Sequence, residues 1–409
     1  MVNSILIITS FLPYPIRSGG DQAQFNMIDE LRKKYDIGIV FPVNRDNRLE
    51  DMKALLSVWP EVKLFPFPLY SQYTHLPFFI QKARKFLSRF LSRYWKKAKI
   101  NEILDSTDFL LSHSYLRFIS KAIVEMKAEV IQVEFIQNLN IGKYLPEGIR
   151  KIFVHHEIGF VITDRVLGNI PLTARQKERK EKKACREIAR LNSFDIIVTL
   201  TDTDKSILAE AGVKPPIFVS PAAVNAKELE YSGWDGSIVF VGSYSHSPNQ
   251  DGIDWFLSEV VPFIDWECYS QTRLKIIGLG WPSSYERNFN GLQVQLSGYV
   301  NDLSEHMAHS IMIVPVLVGS GMRMKILDAA ALSVPFVSTA VGAEGLDFAD
   351  GDSCLLGDCA EEFAQALVKL MSDGLLRKTI ATNSHRLFLE KYSLHALVEK
   401  REAVYKTIT

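Results

Sequence analysis

The chain has 409 residues, 47% hydrophobic and 23% charged, an ordinary composition for a soluble globular protein and enough length for two domains with full cores. Lysine plus arginine (47) equals aspartate plus glutamate (47), so the formal net charge is zero; this argues against a general nucleic-acid binder and leaves any charged partner to local patches. Four cysteines, Cys185, Cys268, Cys354 and Cys359, form neither a CxxC pair nor a zinc spacing, so free thiols in a reducing, cytoplasmic setting are expected.

The first residues, MVNSILIITSFLPYP, lack a basic start and a long apolar core, and read as a first strand, not a signal peptide. No run approaches about 18 apolar residues, so no membrane span is expected. SILIITSF is followed by IRSGGDQAQ, where Gly19 and Gly20 stand between a strand and a helix. In DQAQFNMIDELRKKY the residues Ala23, Met27, Ile28, Leu31 and Tyr35 share one helical face, and cations crowd the C-terminal end. IGIVFPV, AEVIQVEF, KIFVHH and DIIVTLT are further strand candidates. Alternation of buried strands with helices argues for a parallel sheet wrapped by helices.

Between these strands, QKARKFLSRFLSRYWKKAKI (81–100) carries eight Lys/Arg and no acid, with aromatic and aliphatic residues at helical spacing. Two roles stay open for it: a helix whose apolar face enters the core, or a basic aromatic face lying on anionic membrane. RQKERKEKKACREIAR (175–190) mixes signs and reads as a solvated helix. KIFVHHEIGF puts His155 and His156 at a strand end, where period two sends them to opposite sides. Asp202 and Asp204, between a strand and a helix, read as helix-capping residues in preference to a metal pair.

VKPPIFVSPAAVNAKELEYSGWDGS, at 213–237, is rich in prolines and small residues and reads as a linker. Alternation then restarts with SIVFVGS, RLKIIGLG, LQVQLSGYV, IMIVPVLV and PFVSTAV, and ends in a helical tail from about Ala360. The expected organisation is an N-terminal Rossmann-like lobe over 1–212, a linker over 213–236, a second Rossmann-like lobe over 237–385 and a helical tail over 386–409, with packing of that tail on the first lobe as one arrangement. Two doubly wound lobes facing a cleft is the economical α/β architecture, with ligands at the carboxyl ends of the strands.

The densest chemistry lies in GSGMRMKILDAA. Gly319, Ser320 and Gly321 let backbone approach a ligand, the following helix start points N–H groups outward, and Arg323 and Lys325 add positive charge. This is an anion loop by composition, but no Walker loop, since G-K-[ST] is absent. Asp328, one turn after Lys325, is suited to a vicinal diol such as that of a ribose.

VGSYSHSPNQDGIDWFLSEVVPFI, LKIIGLG, LSGYVNDL and VPVLVGSGMRMKILDAAALSVPFVSTAVGAEGL together resemble the retaining glycosyltransferases of family 4, which have the two-lobed GT-B fold. VIQVEF, FVHHEIGF and SFDIIVTLTDTDKSIL match more loosely. The resemblance implies hexosyl transfer from a nucleotide-diphosphate sugar to a saccharide or lipid-linked acceptor, without metal or other cofactor. It implies donor contacts from Gly242, Ser243, Val300, Gly319, Ser320, Gly321, Arg323, Lys325 and Asp328, acceptor or phosphate contacts from Gly19 and Gly20, and His156 beside the reacting sugar carbon, with His155 as the fallback. Three departures stand out. Val318 occupies the place of the family's first acid, and Asp328 that of its second, usually a glutamate. The usual Arg and Lys after Gly242 are missing, so Arg323 and Lys325 are expected to replace them. A binding protein that has lost turnover and a nucleotide-sugar epimerase are the competing readings. A cytoplasmic protein, peripheral at the inner membrane face through 81–100, fits a lipid-linked acceptor.

Overall fold

The computed structural model describes residues 2–43, 48–68, 100, 103–104, 112–168, 170–225, 230–319 and 321–407. The chain divides into two compact units: Met1–Pro15, Ile28–Ser220 and Glu402–Thr409 form the first, and Ile16–Met27 with Pro221–Arg401 the second. The division falls inside two helices, Gly19–Leu31 and Leu394–Lys406.

The first unit is built on a parallel seven-stranded sheet. Its strands are β1 (Ser4–Ile8), β2 (Asp36–Val43), β3 (Lys63–Pro68), β4 (Val130–Glu134), β5 (Arg150–His155), β6 (Ile196–Thr199) and β7 (Ile217–Val219). They run in the order β3-β2-β1-β4-β5-β6-β7. SILII and VIQVE are buried at all five positions, as expected for central parallel strands covered on both faces. Leu6, Ile8, Val40, Ile131, Val133, Phe153 and Ile197 pack with Ile119, Ile123 and Met126 of the helix His113–Met126. Each such aliphatic side chain contributes about 1.5–3 kcal/mol on burial. Gly38 is required there, because a Cβ would lie 2.9 Å from Met126 Cγ.

The second unit has its own seven strands: β8 (Ser237–Val241), β9 (Arg273–Ile277), β10 (Asn288–Phe289), β11 (Leu292–Gly298), β12 (Ser310–Val314), β13 (Phe336–Ser338) and β14 (Leu355–Leu356). Their order is β10-β11-β9-β8-β12-β13-β14, all parallel except β10 with β11. Ile238, Phe240, Ile311 and Ile313 face Ile253, Phe256, Val260, Phe363 and Leu367. Gly252 lets the helix Ser247–Trp255 come down on the end of β12, since a Cβ there would lie 2.2 Å from the Pro315 carbonyl.

The direction of winding reverses between β1 and β4 in the first unit, and between β8 and β12 in the second. Open α/β sheets take ligands at the carboxyl ends of strands at such a reversal. One reversal gathers Glu134 and the loop after β1, with His156 following the neighbouring β5. The other gathers Gly242, Ser243 and the glycine loop after β12.

Four local readings are refined. Gly19 and Gly20 form the first turn of the helix Gly19–Leu31, not a loop ahead of it; Ser18 Oγ accepts from Asp21 N (3.2 Å) and donates to Asp21 Oδ2 (2.8 Å), which starts the helix two residues early. Strand β7 lies within the stretch read as a linker. The helix Asp202–Glu210 is capped by Thr201, whose Oγ1 accepts from Asp204 N (3.0 Å), with both aspartates in its first turn. The helix Ala174–Leu191 is not solvated all round: Gln176, Lys183, Glu187 and Leu191 are buried along one face.

Candidate functional site

In the second unit, β8 ends at Val241 and turns at Gly242. Gly242 N donates to the Ile277 carbonyl (2.8 Å), and Asn249 Nδ2 donates to the Ser243 carbonyl (2.8 Å). Gly242 has no room for a side chain, because a Cβ would lie 2.6 Å from the Asn249 amide nitrogen. The same amide turns its oxygen to Lys325, whose Nζ donates at 2.8 Å. Asn249 therefore ties the loop after β8 to the helix Met324–Ala331 that follows the glycine loop.

Lys325 is half-buried as a residue, but its ammonium is enclosed, 4.1 Å from the centroid of the Phe240 ring. Loss of water around the charge, with help from the nearby Arg323 guanidinium, pushes its pKa down to about 7. Asp328, one turn on, is buried, and burial raises its carboxyl to about 6 against the opposing pull of Gln22 and Lys325. Gln22 Nε2 donates to Asp328 Oδ1 (2.8 Å). Arg323 Nη1 donates to the Gly321 carbonyl (2.5 Å), which folds its guanidinium over its own loop. Gly319 and Gly321 take φ of 156° and 76°, the latter in the left-handed region.

Gly319, Gly321, Arg323, Lys325 and Asp328 thus surround one helix start, with Gly242 and Ser243 linked to it through Asn249. Gly19 approaches the same helix: a Cβ there would lie 3.0 Å from Met324 Cβ. Val300 is half-buried beside Tyr299, whose hydroxyl donates to the Ile16 carbonyl (3.1 Å). Ser320 and the basic stretch up to Lys99 lie outside the described residues. Asn249, Gln22 and Phe240 escaped sequence reasoning. A polar side chain on an amphipathic helix has no signature of its own, and only the glycine that must sit against Asn249 marks the spot.

In the first unit, His155 and His156 part as period two requires. His155 is fully enclosed, with Nε2 3.3 Å from Glu187 Oε1, which also accepts from Gly159 N (2.9 Å). His156 keeps 11% of its side chain exposed, and its Nε2 lies 2.5 Å from Glu134 Oε2. Its ring stacks on Phe135 at 4.1 Å and 13°. Glu134 was also missed. The available signal was a charged residue ending the otherwise uncharged buried run VIQVE, which needs a partner.

Comparison with known proteins gives this geometry a context. Residues 235–373 match the family model of glycosyl transferases group 1. A curated relative, an uncharacterized 44.6 kDa protein in the cps region of Klebsiella pneumoniae, is 24% identical over 165 residues, covering 38% of this chain and 42% of the relative. Among solved structures, sucrose-phosphate synthase from Thermosynechococcus elongatus superposes with a TM-score of 0.71 at 12% identity over 99% of each chain. Anabaena Alr3699/HepE, solved with UDP and glucose, gives a TM-score of 0.67 at 12% identity over 99% of this chain and 100% of that one. The fold is GT-B, a two-lobe α/β fold with a parallel-dominated sheet in each unit. The matched segment 235–373 runs from β8 through the helix Ala360–Ser372, the first of the helical tail, and so contains both Gly242 and the glycine loop.

Proposed function

We propose that the protein is a retaining, metal-independent glycosyltransferase moving a hexose from a nucleotide-diphosphate sugar to a saccharide or lipid-linked acceptor. The observation that carries this reading is the convergence at the β8/β12 reversal of a glycine loop, a helix start, an enclosed Lys325 and a buried Asp328. The match of residues 235–373 and the GT-B fold support a glycosyltransferase. HepE's complex with UDP and glucose supports a nucleotide-sugar donor.

In the reaction, the bond from the sugar's anomeric carbon to the diphosphate breaks and negative charge collects on the leaving oxygens. Loop amides, Lys325 and Arg323 stabilise that charge where water is excluded. The acceptor hydroxyl attacks from the face the diphosphate leaves and passes its proton to a leaving phosphate oxygen, so the anomeric configuration is kept and no protein nucleophile is needed. Asp328 accepts from the ribose hydroxyls, exchanging them for Gln22. Gly19 and Gly20 serve the phosphate or acceptor side, and His156 the reacting sugar.

A thermal-shift panel of UDP, GDP, ADP, dTDP and their sugars identifies the donor, since a ligand that binds only the native state raises apparent stability. Incubation of the binding nucleotide sugar with acceptor and a chelator then yields a product of retained configuration. Release of nucleoside diphosphate that His156→Ala leaves at wild-type rate removes His156 from the site. Val318, in place of an acid, favours the second reading, a nucleotide-sugar-binding protein without turnover; binding with no release of diphosphate under any acceptor decides for it. The match to a protein of a cps region supports polysaccharide synthesis as the setting. Sedimentation with anionic vesicles tests a cytoplasmic protein held at the membrane through 81–100, and binding that survives removal of those cations counts against it.

A further inference from the structure

Glu134 is a carboxylate at the end of a central strand, with no exposed surface. Such a charge is costly in a low-dielectric interior unless each oxygen finds a donor. Both do. Oε1 accepts from Gln132 Nε2 (2.5 Å), and Oε2 lies 2.5 Å from His156 Nε2. Gln132 precedes Glu134 by two residues and so lies on the same face of β4. Its amide is oriented by a third group: Tyr405 Oη, from the helix Leu394–Lys406, donates to Gln132 Oε1 (2.6 Å). Tyr405 and Gln132 are fully buried.

The direction of this chain is set by chemistry. A phenol donates to the amide oxygen, the amide nitrogen donates to the carboxylate, and the carboxylate is left to accept from the imidazole. His156 therefore carries its proton on Nε2 when neutral, and Nδ1 holds a lone pair. Among the described residues Nδ1 makes no hydrogen bond. The ring is also clamped flat on Phe135, itself held at φ 66°, a strained value for a side-chain-bearing residue, and tilted against Phe11 at 4.7 Å. His155 shows the contrast: its partner Glu187 lies inside the same unit, but His155 has no exposed side chain to present.

We propose that Glu134 is a positioning residue. It fixes His156 in the Nε2–H tautomer and so presents Nδ1 as an acceptor for a sugar hydroxyl, while Tyr405 acts through Gln132 to hold the carboxylate in place. The functional part rests on the reading of His156 given above; the tautomer does not. The test uses the full-length protein labelled with 15N-histidine, with His156 assigned by the peaks lost in His156→Ala. Two-bond nitrogen–proton correlations at alkaline pH show Nε2 protonated in the wild type. In Glu134→Leu the tautomers mix, and the transfer rate falls about tenfold or more with the donor KM unchanged; Glu134→Asp recovers part of the loss. An Nδ1–H tautomer in the wild type overturns the proposal without any variant. So does a His156 spectrum that Glu134→Leu and Tyr405→Phe both leave unaltered. If transfer proceeds normally in His156→Ala, the functional reading of His156 fails while the nitrogen spectra still decide the tautomer.

Discussion

Lys325 offers a measurement that separates a diphosphate site from an ordinary turn. Its drop from 10.5 to about 7 corresponds to about 5 kcal/mol against the charged form. A phosphate oxygen about 4 Å away, at the effective dielectric of a protein surface, returns about 4 kcal/mol. That is enough to restore the proton. At a pH about one unit above the free value, roughly nine-tenths of the free amines are neutral, so binding takes up roughly 0.9 proton per site. Calorimetry of the nucleoside diphosphate found in the panel, in buffers of different ionisation enthalpy, reads this number directly. In Lys325→Met the uptake disappears and the affinity falls by about tenfold or more. Stability follows the same group. The unfolded chain binds more protons between about 7 and 10.5, so this contribution is present above 10.5 and lost as pH falls through about 7. Lys325→Met removes that slope. Proton uptake that persists in Lys325→Met, or diphosphate binding with none in the wild type, refutes the reasoning.

Asp328 gives the opposite slope: its carboxyl is raised from 3.8 to about 6, so its contribution is full below 3.8 and lost as pH rises through about 6, a change of about 3 kcal/mol that Asp328→Asn removes from a denaturation-against-pH curve. Gln22→Met deletes the donor that holds this carboxyl down, and a carbon-detected titration of Asp328 then moves upward. Gly242→Ala forces a methyl against the Asn249 amide, costing about 1–3 kcal/mol in chemical denaturation and weakening nucleotide binding.

The ten strands recognised in the sequence are the interior ones of both sheets, and the four that escaped, β3, β7, β10 and β14, are the four edges. The reason is physical. Most interior parallel strands are covered on both faces and read as mainly apolar runs, as SILII and SIMIV do, while LQVQLSG, next to the edge, shows the period-two alternation of a half-covered strand. An edge strand pairs on one side only, so KLFPFP can carry Pro66 and Pro68, and IFV can sit in a stretch with the composition of a linker. The glycine loop after β12 stood out for a similar reason, since glycines and cations cluster there within a few residues. Its partners were not. Asn249 lies 76 residues from Lys325, and Gln22 lies 306 from Asp328, so only the folded chain joins them.

Those partners share a chemistry that has a consequence. Lys325 is held by Asn249, Asp328 by Gln22, and Glu134 by Gln132. A side-chain amide satisfies a hydrogen bond without neutralising a charge. Buried charges held this way keep their electrostatic need for a ligand, whereas an ion pair would quench it. Asn249→Asp tests the difference, because it keeps the shape of the side chain and adds one charge beside Lys325. The new carboxylate restores the ammonium of Lys325 in the free protein, so proton uptake on diphosphate binding falls toward zero. With ligand bound, Lys325 and residue 249 together carry one positive unit less than in the wild type, and affinity falls with it. The same change removes the Nδ2 donor to the Ser243 carbonyl, which offsets the gain of the ammonium in native-state stability, so proton uptake is the readout that reports on the charge. An Asn249→Asp protein that binds diphosphate as tightly as the wild type, with the same proton uptake, shows that charge compensation at Lys325 has no part in recognition.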